Sequence, residues 1–327
     1  MRVHPVVASV GLAALASLSS LGCSSSKDGA NGERKPMVLE SEHFVVQSGE
    51  EKTMCQVIYA NNAPMDFRHI SSRMVSGSHH LILFRHLALP IGGYETPAEG
   101  LQECQMEGPR LYVYGAQEAV HEVQLPDRIG GRLDENEIFI LEIHVANASA
   151  DAIDAFATVT IDPAPADSID EYSGILFYMN TDFAIPAGAG VEGAPVHTDA
   201  ATCAVPRDVN VFRMQSHAHK RMTKAEAWLT DASGIDAQKI YKNEDWHSPV
   251  SRSFDDPALA IAGGQNIEFE CSWSNETDQI IEFGESVEDE MCIVGLGYYP
   301  RIEYDGTGTV PIDMHGNVFC LDGELYY

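Results

Sequence analysis

The sequence has few basic residues. Its 327 residues contain 20 Lys+Arg against 49 Asp+Glu, which gives a formal net charge of −29. No run of Lys and Arg stands out as a polyphosphate site. A surface this acidic repels nucleic acid and anionic membranes, and we therefore expect no nucleic-acid partner. Hydrophobic residues make up 44% of the chain, enough to build a core, and this content excludes a disordered protein.

The N-terminus lacks an apolar run of membrane-spanning length. The stretch VVASVGLAALASLSSL over residues 6–21 is short for a span but suits a signal peptide. It leads into Leu21-Gly22-Cys23, which resembles a bacterial lipoprotein signal with a lipidated Cys23; the alternative is an ordinary signal peptide. We expect a signal peptide over 1–23, a polar linker over 24–36, and an exported protein. It would be periplasmic or on the cell surface, touching the membrane only through its lipid anchor.

No Cys-x-x-Cys motif occurs, and the scatter of the cysteines argues against a structural zinc site. The chain has seven cysteines. Without Cys23 six remain, and an even number in an exported protein predicts three disulfides. Cysteine counting alone leaves their connectivity open.

Helical periodicity is weak nearly everywhere. Short or alternating apolar segments rich in β-branched and aromatic residues predict strands, and Gly, Pro, Asn and Asp separate them. The segments are 79–84, 137–145, 155–161, 173–179, 210–214, 225–231, 266–273 and 292–299. This pattern predicts an all-β protein, and the Pro-rich DPAPAD segment near residue 164 divides it. We expect two tandem antiparallel β-sandwich (jelly-roll-like) domains over 37–164 and 165–327.

Each predicted domain carries a histidine pair. In SHAHKRM, His217 and His219 are two residues apart, so on a strand both imidazoles project from one face. In GSHHLILF, His79 and His80 would point to opposite faces, and they can share a metal only if the strand starts or bulges at Gly77-Ser78. His144 lies near the end of another apolar strand. Imidazole ligands suit copper, zinc, iron and nickel; the alternative is a set of incidental core and surface histidines.

The stretch ESVEDEMCIVGLGYYP over 285–300 adds a second kind of ligand. Its DEMC segment and the following tyrosine pair resemble the second-copper motif of the copper type II, ascorbate-dependent monooxygenases. That family includes peptidylglycine α-hydroxylating monooxygenase and dopamine β-monooxygenase. One of its coppers is bound by an adjacent His pair and a later His, the other by a His-x-His pair and a Met. The resemblance spans about residues 50–322.

The resemblance implies two coppers per chain, in separate pockets facing a shared gap. The electron-transfer copper would be bound by His79, His80 and His144. The O2-activating, catalytic copper would be bound by His217, His219 and Met291. A soft thioether among the ligands favours Cu(I). O2 and ascorbate, or another one-electron donor, would be co-substrates.

The resemblance also implies the disulfides Cys55–Cys104, Cys203–Cys320 and Cys271–Cys292. His86 stands where the family often has a further cysteine, and it would be a spare histidine near the first copper. Glu142, two residues before His144, is a candidate hydrogen-bond acceptor for a ligand histidine; the alternative is a solvated carboxylate.

The substrate pocket departs from the family pattern. The peptide-amidating members anchor a substrate carboxylate with an Arg where this chain has Gln215. They use an Asn and a Tyr where it has Ile293 and Gly295. A pocket lined by these three side chains lacks that cation, which argues against a C-terminal glycine peptide as substrate.

Three functions are compatible with these features. The first is a copper monooxygenase that hydroxylates a C–H bond of a small-molecule substrate. The second is a non-catalytic copper-binding lipoprotein for metal handling. The third is a β-sandwich interaction module whose histidines are incidental. Two different sets of three ligands favour the enzyme, because storage needs no such difference.

Overall fold

Strands are the only regular secondary structure in the described residues, so the predicted all-β class is confirmed. The computed structural model describes residues 35–60, 62–86, 96–104, 110–235, 237–254, 257–302, 312–315 and 318–322. The predicted signal peptide, with Cys23, lies outside them. Within these ranges no helix is long and apolar enough to cross a membrane.

The first thirteen strands form the part of the molecule called here the N-terminal half. They are β1 (Met37–Glu40), β2 (Phe44–Val46), β3 (Glu51–Tyr59), β4 (Met65–Met74), β5 (Ser78–His86), β6 (Gly100–Glu103), β7 (Arg110–Ala116), β8 (Val120–Gln124), β9 (Ile129–Leu133), β10 (Ile138–Ala146), β11 (Ile153–Ala155), β12 (Ala157–Pro163) and β13 (Glu171–Tyr172). One sheet has the order β1-β12-β4-β9-β13, with β8 also on β4, a second has the order β6-β3-β10-β5-β7, and β2 pairs with β11 in a two-stranded third.

The remaining strands form the C-terminal half. They are β14 (Gly174–Asn180), β15 (Ala184–Ile185), β16 (His197–Ala204), β17 (Val209–His217), β18 (Met222–Thr230), β19 (Gln238–Asn243), β20 (Arg252–Ser253), β21 (Leu259–Ile261), β22 (Asn266–Trp273), β23 (Ile281–Glu282), β24 (Ile293–Tyr299), β25 (Ile312–His315) and β26 (Val318–Asp322). The largest sheet has the order β20-β17-β24-β14-β26-β25, with β21 also on β17, a second has the order β16-β22-β18-β19, and β15 pairs with β23 in a two-stranded third.

Each half buries its own core between its two larger sheets. In β12 and β14 alternate side chains are buried, as expected for strands that cover a core on one face. The N-terminal core joins Leu83 and Ile143 of one sheet to Ile70 and Val159 of the other. Leu176 and Leu296 meet Ala227 and Phe269 in the same way in the C-terminal core, so both halves are sheet-on-sheet packings.

The strand ladders separate at a different residue from the predicted division. In the described part of the chain no ladder joins β1–β13 to β14–β26. However, β13 lies beyond residue 164 and pairs with β9, Glu171 opposite Ile129. The separation therefore falls between Tyr172 and Gly174. Residues 35–327 form one compact unit, and two independent jelly-roll-like domains stay a prediction.

The three disulfides are those that the resemblance implied. Cys55–Cys104 links β3 to the residue that follows β6. Cys203–Cys320 links β16 to β26, and Cys271–Cys292 links β22 to the residue before β24. In the C-terminal half, both bridges join the two facing sheets.

Candidate metal centre

The adjacent histidines lie at a strand start that is also a bulge. Gly77, with φ 97°, occupies the turn before β5. In the ladder with β10, His144 pairs with His80 and Val145 with Ser78, so His79 is the extra residue. A bulge breaks the alternation of side chains, so both histidines of the pair can turn to one side. Their ring centroids are 5.0 Å apart, and that of His144 lies 5.1 Å from His79 and 4.9 Å from His80.

His217 and His219 do not both lie on a strand, although the sequence had predicted this. β17 ends at His217, and His219 lies in the turn that leads to β18. The two rings still come within 5.4 Å, centroid to centroid. The ring Nδ1 of His219 is 3.2 Å from the backbone oxygen of Asp289, to which it donates, and this contact leaves Nε2 available.

The two histidine sets meet, which corrects the expectation of separate pockets across a gap. His79 lies 5.4 Å from His217 and 5.2 Å from His219, and His80 lies 5.5 Å from His217, between ring centroids. Candidate ligand atoms of His79, His217 and His219 all lie within 4.8 Å of one another, as do those of His79, His80 and His144. The reason is topological: the start of β5 and the end of β17 face each other. The five rings are called here the histidine cluster.

Buried nitrogens without a partner show that the cluster fits a metal. Three ring atoms, His79 Nε2, His80 Nδ1 and His219 Nε2, are buried and make no hydrogen bond. Each such atom costs about 1–3 kcal/mol if left unsatisfied, and a metal ion is the partner that imidazoles of several strands can share.

Burial also holds the rings in the form that binds metal. It lowers the pKa of His79 and His80, and that of His217, well below the usual 6.5; neighbouring rings add to the effect. It lowers the pKa of His219 to about 4. At neutral pH these imidazoles are uncharged and keep a lone pair for a ligand bond.

Two carboxylates orient the N-terminal histidines. Glu142 Oε1 lies 3.4 Å from His80 Nε2, so the predicted acceptor does contact a histidine of the pair. Glu51 Oε1 accepts from His144 Nε2 at 2.6 Å, a contact that the sequence did not predict. Glu51 comes from the neighbouring strand β3, opposite Ala146, so finding it requires the strand register. Such acceptors fix which nitrogen of a ring faces the metal.

Glu51 also reaches the C-terminal half. Its Oε2 accepts from Ser286 Oγ at 3.0 Å, and its Oε1 accepts from the backbone N–H of Val287 at 3.0 Å. One side chain therefore connects a histidine of the cluster to the loop that leads to Met291.

A buried glutamate fixes the segment before Met291. Glu290 is fully buried, and its carboxylate accepts from the backbone N–H of His219 at 3.0 Å and of Arg221 at 2.6 Å. The indole of Trp273 donates to it at 3.1 Å. Burial raises the pKa of Glu290 to about 7 against the effect of these bonds. Glu290 and the disulfide at Cys292 anchor the chain on both sides of the half-buried Met291, beside the turn that contains His219. The role of Met291 as a metal ligand stays a prediction.

His86 is far from the cluster, contrary to the expectation. It ends β5, six residues beyond His80. At about 3.4 Å per strand residue that is about 20 Å. Burial lowers its pKa.

The substrate-pocket candidates separate into two groups. Gln215 and Gly295 line a cavity of about 180 Å³ between the halves, together with Tyr112, Phe177 and Phe212. Ile293 is buried and does not line this cavity; its role in a substrate pocket stays a prediction. In β24 the residues at 293 and 294 are both buried and the alternation starts only at Gly295, which explains the difference.

Comparison with known proteins matches part of the chain to one family. Residues 172–308 match the copper type II ascorbate-dependent monooxygenase C-terminal domain. This segment contains His217, His219 and Met291, so the match supports the family that the sequence resembles. No curated protein matches the chain.

The solved structures that it resembles are distant. The major capsid protein P2 of bacteriophage PM2 has 8% identity, with 83% of this chain and 100% of that chain covered, at a TM-score of 0.37. The PBSX exported protein XepA has 9% identity, with 80% and 86% covered, at a TM-score of 0.20. These similarities are too low to support a functional argument.

Proposed function

We propose that the protein is a copper-dependent monooxygenase that hydroxylates a C–H bond of a small-molecule substrate, with O2 and a one-electron reductant such as ascorbate. The observation that carries the proposal is the histidine cluster, with its unpartnered buried nitrogens, within a chain whose residues 172–308 match the monooxygenase C-terminal domain. A chance set of histidines would not leave three ring nitrogens buried and unpaired.

The residues that would hold copper are the five histidines and Met291. Bound copper would supply one-electron redox chemistry and O2 binding, which no side chain of the protein provides. Candidate ligand atoms of His79 lie near those of His217 and His219 and also near those of His80 and His144. If two coppers were bound close together, both would therefore compete for the ring of His79.

The chain's own residues prepare this site. Burial keeps the imidazoles of His79, His80, His217 and His219 neutral. Acceptors fix three rings: Glu51 for His144, Glu142 for His80 and the Asp289 carbonyl for His219. Gln215, two residues before His217 on the same face of β17, lines the cavity that would hold the substrate. The aromatic walls of this cavity would exclude water from the substrate C–H bond.

The alternative is a non-catalytic copper-binding lipoprotein. The contact between the two histidine sets favours it over an incidental cluster, because one compact imidazole site is enough for storage. Ascorbate-dependent O2 consumption by copper-loaded protein separates the two functions. Consumption that rises with a small-molecule substrate, with about two coppers per chain by elemental analysis, supports the enzyme. Bound copper without O2 consumption supports storage, and protein that binds no copper contradicts both.

We also propose export with a lipid anchor at Cys23. The three disulfides support an oxidising compartment. Mass spectrometry of the N-terminal peptide tests the anchor: we expect a lipidated Cys23, and Cys23→Ser should release the protein from membranes. An unmodified Cys23 would contradict the proposal.

A further inference from the structure

Trp246 lies between the histidine cluster and an exposed side chain. It belongs to the segment 244–251 that joins β19 to β20, and it packs half-buried against the C-terminal core. The centroid of its ring lies 6.0 Å from that of His79. The ring of the exposed His247 also contacts it, with 5.5 Å between the centroids. Three rings in contact therefore link a histidine of the cluster to the surface.

Hydrogen bonds from both halves fix the segment that carries Trp246. Within the C-terminal half, Asn243 Oδ1 accepts from the backbone N–H of Asp245 at 3.2 Å and of Val250 at 3.2 Å. From the N-terminal half, Gln117 Nε2 donates to the backbone oxygen of Trp246 at 3.3 Å. These bonds hold the indole against His79.

The other two tryptophans are placed differently. Trp273 is fully buried, and its indole N–H donates to Glu290. Trp228 is half-buried in β18, with Lys239 Nζ 4.9 Å from its ring centroid. In the described part of the chain, Trp246 is the only tryptophan whose ring contacts a histidine of the cluster.

Tyrosine, like tryptophan, is a side chain that gives up one electron readily. The hydroxyl of Tyr241 contacts the backbone N–H and Oγ of Ser216, the residue before His217, at 3.0 and 3.2 Å. Tyr241 is fully buried, however, so an electron taken from it could not be replaced directly from solvent. Trp246 combines contact with the cluster and access to solvent.

The proposed chemistry makes such an indole useful. An oxidant that is able to break a substrate C–H bond is also able to take one electron from an indole. When no substrate is bound, the groups exposed to this oxidant include the metal ligands themselves, and a thioether such as that of Met291 is readily converted to a sulfoxide. An indole that gives up its electron first would spare these ligands.

We propose that Trp246 is a one-electron relay that protects the metal centre when no substrate is bound. Its indole gives one electron to the oxidised centre and its N–H proton to water, which leaves a neutral indolyl radical. Ascorbate, approaching beside the exposed His247, returns a hydrogen atom to the indole nitrogen and becomes monodehydroascorbate. The net result is one electron passed from the reductant to the centre. That the oxidant arises from O2 rests on the proposed function; the position of the relay does not.

The test oxidises the copper-loaded full chain without substrate, in two arms. One arm supplies O2 with ascorbate, and the other supplies hydrogen peroxide, which does not depend on the monooxygenase reaction. Peptide mass spectrometry measures oxygen adducts at each tryptophan, at the five histidines of the cluster and at Met291. Electron paramagnetic resonance of rapidly frozen samples detects the radical, and ring-deuterated tryptophan assigns it to an indole.

Two variants accompany the original chain. Trp246→Phe keeps an aromatic ring but removes the easily oxidised indole. Trp228→Phe is the matched control, because it removes a half-buried indole that packs against Lys239 and not against the cluster.

With hydrogen peroxide, we expect an indole radical, and adducts at Trp246, in the original chain and in Trp228→Phe. Added ascorbate should shorten the lifetime of this radical. In Trp246→Phe, we expect adducts at the copper ligands to rise several-fold in both arms, with a parallel loss of bound copper. Ligand adducts that are equal in all three proteins, or a Trp246 that stays unoxidised in the original chain, would overturn the relay.

The radical and the adducts of the original chain need no variant, so a misfolded Trp246→Phe does not prevent the test. Oxidation of Trp246 by hydrogen peroxide without ascorbate-dependent O2 consumption would leave the relay standing and contradict the monooxygenase. O2 consumption with Trp246 unoxidised in both arms would do the reverse.

Discussion

At the scale of single residues, His79 decides how the histidine cluster is organised. Its ring lies between 5.0 and 5.4 Å from those of the other four histidines. The bulge that places it there was expected from Gly77 and Ser78, whereas its contact with His217 and His219 was not. Residue types and spacing indicate what a side chain can ligate, but how closely two strand ends approach depends on how the two halves pack.

Met291→Ile replaces a thioether with a hydrocarbon of similar size. We expect ascorbate-driven O2 consumption to fall at least about tenfold, while copper held by imidazoles remains bound. Elemental analysis and an oxygen electrode measure the two effects. Met74→Ile, which changes a buried Met in the N-terminal core, is the control. Loss of all copper, or an equal fall in the control, would contradict a ligand role for Met291.

His121 makes stability depend on pH. Burial and Arg213 lower its pKa from 6.5 to about 4, so the folded chain binds fewer protons than the unfolded chain between these pH values. Its contribution to stability is therefore complete above pH 6.5 and is lost as the pH falls toward 4, on the order of 2 kcal/mol. In denaturant unfolding, the loss of stability between pH 6.5 and pH 4 should be smaller in His121→Gln than in the original chain. It should be unchanged in His43→Gln, which replaces an exposed histidine. Parallel pH curves for His121→Gln and the original chain would contradict it.

At the scale of strands, apolar patterning located the core of both halves. The predicted segments 79–84, 137–145 and 266–273 correspond to β5, β10 and β22 within two residues at each end. β16, with the sequence HTDAATCA, was not predicted because its buried positions are only the small Ala201 and Cys203 and it lacks large apolar side chains. The turn at His219 was also missed, since spacing alone does not distinguish a strand end from the turn after it.

β24 offers a matched pair of glycine substitutions. A Cβ at Gly295 would approach nothing closer than 3.8 Å, whereas one at Gly297 would lie 2.7 Å from the ring of Phe212. We expect Gly295→Ala to leave the fold intact or stabilise it by up to about 1 kcal/mol. We expect Gly297→Ala to destabilise it by about 1–3 kcal/mol through overpacking. Denaturant unfolding compares them, and equal stabilities would contradict the assigned packing of Phe212.

At the scale of the whole molecule, sequence reasoning gave the class and the covalent links more reliably than the arrangement of the two halves. The all-β class and three disulfides follow from patterning, cysteine number and a family resemblance. That β13 belongs to the N-terminal half, and that the histidine sets touch, depends on long-range packing that no local pattern encodes.

The disulfides should stabilise the molecule according to loop length. Cys203–Cys320 spans 117 residues, Cys55–Cys104 spans 49 and Cys271–Cys292 spans 21. Chain entropy gives roughly 3 to 5 kcal/mol for each, in that decreasing order. Paired Cys→Ala variants, followed by thermal unfolding, measure the ranking. Unchanged melting temperatures in all three would contradict it.

The Glu51 carboxylate has a consequence for solvent entry. Because Glu51 bonds both His144 and the loop at Ser286 and Val287, any separation of the two halves at this edge has to break one of these two sets of hydrogen bonds. Water reaches the imidazoles from this side only at that cost.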